Sequence, residues 1–133
     1  MNLTKPTHAG YFFAQSVTDL AQRLRAGSLT SVELTQAALD SIRRLNPILN
    51  AFVCVDASVA LAQASKADEL FEQGLDLGPL QGIPVAVKDN IDTFDYVTTY
   101  GSAHFAGFKP EHDAVCVKRL REAGAVIVGK TLT

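Results

Sequence analysis

Three short apolar runs, Phe52-Val53-Cys54-Val55, Val85-Ala86-Val87-Lys88 and Ala125-Val126-Ile127-Val128, constrain this chain more than any other feature. Each is rich in β-branched residues, and helical signals separate them, so they read as buried strands. Ser16-Val17-Thr18-Asp19 carries a capping signal for a short helix ending near Gly27. Thr30-Ser31-Val32-Glu33 is a full capping box, opening a helix that Pro47 is expected to stop near Asn46. Its stripe Leu34, Ala38, Ile42, Leu45 has helical spacing and should face a core. Asp56 is positioned to cap a third helix, whose Ala60, Ala64, Ala67 and Phe71 form a small-residue stripe suited to close packing, and Gly74 ends it. Asp113 is expected to cap a fourth through Glu122, with Cys116, Leu120 and Ala123 on one face and Gly124 after it. Helix and strand alternate, so the fold class is α/β with at least part of the sheet parallel. The first fifteen residues, with Tyr11-Phe12-Phe13, read as irregular and lying across the body.

The chemistry concentrates where the second run ends. Gly78-Pro79-Leu80-Gln81-Gly82-Ile83-Pro84 leads through a turn into Val85-Ala86-Val87, and Lys88-Asp89-Asn90 follows directly. An ammonium in apolar surroundings either pairs or gives up its proton, because burial penalises the charged form. Asp89 and Asn90 are candidates to hold Lys88, and partial burial would depress its pKa toward that of a general base. A lysine that snorkels from the strand end into solvent is the plain alternative.

This segment and four other blocks resemble the amidase signature family. They are Leu24-Arg25-Ala26-Gly27-Ser28-Leu29-Thr30-Ser31-Val32-Glu33-Leu34, Asn46-Pro47-Ile48-Leu49-Asn50-Ala51-Phe52-Val53, Thr98-Thr99-Tyr100-Gly101-Ser102, and Leu120-Arg121-Glu122-Ala123-Gly124-Ala125-Val126-Ile127-Val128-Gly129-Lys130-Thr131. The resemblance runs from Ser16 to Thr131. It implies a mixed sheet flanked by helices and hydrolysis of carboxamide C–N bonds through a Ser-cisSer-Lys triad with Lys88 as catalytic base. It implies a small-molecule amide as the substrate and no cofactor. Both triad serines would lie in a glycine- and serine-rich segment downstream of the Gly-Lys-Thr block. Ser16, Ser28, Ser31, Ser41, Ser58, Ser65 and Ser102 are the serines here, and none has a Gly-x-Ser-x-Gly or Gly-Ser-Ser-Gly-Gly setting. Residues 1–133 are therefore expected to be the N-terminal portion of a single amidase domain, with no internal boundary and no activity alone.

Two rivals accompany this reading. Within the family, the A subunit of the tRNA-dependent glutamine amidotransferase is similar, although that branch usually has Asn after Gly-Lys-Thr where this chain has Leu132. Outside it, the chain would be a non-catalytic remnant or an interaction module. A Lys88–Ser102 dyad is chemically conceivable but lacks a local oxyanion hole.

Gly124-Ala-Val-Ile-Val-Gly129-Lys130-Thr131 also matches the phosphate-loop spacing, but here a helix precedes the first glycine and the middle residues read as strand. Such a β-branched run resists curling into a phosphate cradle, so Lys130 is expected at a strand end near the rim that bears Lys88. A net charge of −2 without a basic block indicates neither a nucleic-acid nor a membrane-surface partner. A homodimer is left open. His8, His104 and His112 show no metal-ligand spacing. Cys54 and Cys116, each inside an apolar run, read as buried thiols of a reducing compartment. With no basic n-region leading an apolar h-region, the expected location is cytoplasmic.

Overall fold

The computed structural model describes residues 10–133. Within them the chain runs α1 (Val17–Arg25), α2 (Ser31–Leu49), β1 (Phe52–Val55), α3 (Ala57–Glu72), β2 (Pro84–Lys88), α4 (Val115–Glu122) and β3 (Val126–Thr131). The strands form one mixed sheet in the order β1-β3-β2, with β3 antiparallel to β1 and parallel to β2. This is the α/β class that the alternating pattern indicates. His8 and the rest of residues 1–9 lie outside the described residues. Beyond them, Phe12 packs on the cluster formed by α1, Leu29, Leu34 and Ile83.

Local signals start the first three helices. Ser16 accepts the Asp19 N–H and Thr30 accepts the Glu33 N–H, both as reciprocal capping boxes. Asp56 accepts from the Ser58 and Val59 N–H groups. The first turn of α2 has a further partner from afar: the Asp68 carboxylate on α3 accepts the Ser31 N–H at 2.6 Å and the Val32 N–H at 3.0 Å.

The apolar stripes then sort themselves across the sheet. Leu39 of α2 and Ala60 and Ala64 of α3 pack on Val126 and Val128. The alternate residue Ile127 packs with Val87, Tyr96 and Val117 of α4. β3 is thus buried on both faces, as expected for all three strands. β1 and β2 are only partly buried, because each flanks β3 with its far side unpaired.

Three other expectations need correction. α2 passes Pro47 and ends at Leu49, with Asn50 in the left-handed region (φ 50°) donating its N–H to the Asn46 carbonyl at 2.8 Å. A proline this close to the helix end removes only the hydrogen bond to the Arg43 carbonyl, and Arg43 is exposed, so water can take that carbonyl. Asp113 does not cap α4. Its carboxylate accepts instead from the Phe94 N–H (3.0 Å) and Arg121 Nε (2.8 Å), and Ala114 stands at the helix start without a side-chain cap. The thiols are not both buried: Cys54 is half-buried and Cys116 exposed, since the core-facing residue of α4 is Val117.

Candidate active site

β2 and β3 run parallel and end together, and the carboxyl ends of parallel strands are where open α/β sheets place their ligand crevices. Lys88 is the last residue of β2, opposite Thr131. The Asp89 N–H donates to the Thr131 carbonyl at 2.9 Å, extending the ladder by one rung. Side chains alternate along a strand, so Lys88 and Asp89 leave opposite faces. Lys88 is exposed and Asp89 is 1% exposed.

The loop that follows is tied to Asp89. Its carbonyl accepts the Tyr100 N–H at 3.0 Å, and both carboxylate oxygens stand 3.2 Å from the Thr99 N–H. The Thr99 hydroxyl donates to the same carboxylate. The polar run Thr98-Thr99-Tyr100-Gly101-Ser102 is thereby held at the rim that bears Lys88. Tyr100 takes a left-handed backbone (φ 53°), and its phenol donates to Asp92, which raises its pKa. Its ring meets Phe105 edge-on at 5.1 Å and stacks near Phe108 at 6.3 Å.

The buried lysine of this site is Lys130, not Lys88. Lys130 is 0% exposed, and its ammonium donates to the Ile91 carbonyl (2.8 Å) and the Thr98 hydroxyl (2.5 Å). The Asp89 carboxylate lies 3.7 Å away. Burial pushes the Lys130 pKa down, against the opposing pull of Asp89 and Asp92. A register shift explains how an ammonium enters this core. Val85 pairs with Ile127 and Ala86 with Gly129, so β3 carries one extra residue, Val128. Without that bulge Lys130 would share a face with Val126 and Val128. With it, Lys130 joins Ile127 on the face of Val87, Tyr96 and the 91–98 loop.

Asp89 therefore pairs with Lys130 and not with Lys88, contrary to the expectation that Asp89 and Asn90 hold Lys88, and Asn90 is exposed. Alternation across the strand end is the reason. The sequence does hold a signal for the missed pair. A glycine inside a β-branched run marks a bulge or a close backbone approach. A Cβ at Gly129 would collide with the Cys54 carbonyl oxygen. The strand continues through Gly129, Lys130 and Thr131, as the rejection of a phosphate loop requires. The Ser102 hydroxyl accepts the His104 N–H at 3.2 Å, the role of a cap on the short 3₁₀ turn Ala103–Phe105. His104 and His112 are exposed, and no group of three metal-ligating side chains occurs among the described residues.

Comparison with known proteins identifies the family. The family model for amidase matches residues 33–133. The A subunit of glutamyl-tRNA(Gln) amidotransferase from Chloroflexus aurantiacus is 48% identical over 115 residues, which are 86% of this chain and 24% of the relative. Native peptide amidase from Stenotrophomonas maltophilia superposes with a TM-score of 0.86 at 42% identity, covering 91% of this chain and 25% of that one. An amidase family protein from Bacillus anthracis str. Ames gives 0.80 at 30% identity, over 89% and 24%. The chain thus spans about a quarter of the length of these relatives. A family model over residues 33–133, and close superposition on solved amidases at up to 42% identity, establish that this chain belongs to the amidase family.

Proposed function

We propose that the full-length polypeptide hydrolyses carboxamide C–N bonds, with Lys88 as general base. The observation that carries the reading is the placement of Lys88: exposed, last on a parallel strand, and beside a polar loop anchored to the next residue. The nucleophilic and middle serines are assigned to a segment outside residues 1–133. Neutral Lys88 takes a proton, relayed through the middle serine, from the nucleophilic serine as its oxygen attacks the amide carbonyl. The C–N bond breaks as the proton passes to the leaving nitrogen, and ammonia or an amine departs. Water then cleaves the acyl ester and restores the serine. Backbone N–H groups of the glycine-rich segment hold the oxyanion.

A second reading is favoured by one observation, the 48% identity to the A subunit of an amidotransferase. On that reading, ammonia released from glutamine serves a misacylated tRNA. Ammonia release by the purified full-length polypeptide separates the two. Turnover of a C-terminally amidated peptide without other subunits supports the amidase. Release from glutamine that requires added partner subunits supports the amidotransferase, and release from neither substrate defeats both. Residues 1–133 alone are expected to release none.

A further inference from the structure

Lys130 is a fully buried ammonium that the proposed chemistry leaves unused, and its buried partner Asp89 directly follows the proposed base. A buried ion pair is seldom a better stabiliser than a well-packed apolar pair, so its presence at this rim calls for another account. A carboxylate next to an ammonium favours the charged form, and a base held protonated accepts nothing. Alternation already turns Asp89 to the face opposite Lys88. There it meets the Lys130 ammonium at 3.7 Å and the Thr99 N–H at 3.2 Å.

We propose that Lys130 neutralises Asp89, so that Asp89 does not serve as counter-ion to Lys88 and Lys88 stays available to accept a proton. Lys130 and Asp89 are positioning residues in this scheme, and the scheme rests on the reading of Lys88 as base. The other titratable groups about the pair are Asp92 on the turn after β2, Cys54 on β1, and Tyr100, whose phenol is bonded to Asp92. None of them replaces Lys130 as a cation.

Brief acylation of the folded full-length protein at a fixed pH near neutrality, read by peptide mass spectrometry, tests this. Exposed Lys66 and Lys118 serve as internal references. Lys130→Met should slow Lys88 acylation relative to them by about threefold or more, the effect of an uncompensated neighbouring carboxylate. Lys130→Met/Asp89→Asn should restore the rate, and the acidic limb of the kcat/KM pH profile should move up in the single variant and return in the double. An unchanged rate in the single variant, or a slow rate that persists in the double, overturns the proposal. Where the single variant does not fold, the double decides alone, by a Lys88 rate at or above wild type. Failure of the double to fold gives the pair a purely structural role and overturns the proposal too. Expected labelling in a protein whose Lys88→Ala variant keeps full activity would defeat the base assignment and leave the electrostatic pairing standing.

Discussion

Asp56 shows how a single side chain starts an element and makes it pH-dependent. It accepts the Ser58 and Val59 N–H groups and the Ser58 hydroxyl, and the Ser58 hydroxyl does most to hold its pKa below 3.8. A depressed carboxyl pKa contributes stability above the unfolded value, and that contribution is lost as pH falls through the folded one. Asp56→Ala should therefore destabilise by about 1 kcal/mol at neutral pH. In urea titrations the gap between variant and wild type should shrink below about pH 4, with a constant gap arguing against this role. Caps of this kind were legible because they depend on residues two or three apart. Lys88 was legible in position for a similar reason, as the polar end of an apolar run. Its exposure was not, since the company of Asp89 depends on which strand face each residue leaves.

β3 is the element that decides that question. Its bulge at Val128 turns Lys130 into the core beneath the 91–98 loop, and β1 crosses so closely that Gly129 has no room for a side chain. Gly129→Ala should cost about 1–3 kcal/mol by forcing β1 away from β3. Chemical denaturation checks the loss, and a variant of wild-type stability would contradict the close approach. The existence of β3 was plain from its β-branched run. Its bulge depends on long-range pairing, and so does the capture of Asp113 by Arg121, which displaced it from the helix start. In α2, local proline chemistry was outweighed because only its final turn was affected.

Across the molecule, the helices cover β3 and leave β2 half open. Pro84, Ala86 and Lys88 alternate onto one face of β2, where Pro84 and Ala86 join Phe12, Ala38, Ile42, Phe52 and Val128 around a groove of about 290 Å³. The groove is largely apolar, and Lys88 stands beyond it on the same strand face. The fold class and the family were readable from pattern and motif, whereas the shape of this face comes from how Phe12 and α2 lie against the three strands. On the proposed mechanism Lys88 accepts the proton in amide cleavage. The most direct test of this is the rate of ammonia release by full-length Lys88→Ala and Lys88→Arg, with folding confirmed by circular dichroism. The account predicts a loss beyond the roughly 10²–10⁴-fold of a general base acting alone for Ala. Arg should be nearly as damaging, because a guanidinium stays protonated. A folded Lys88→Ala protein that keeps more than about a tenth of the wild-type rate would contradict it.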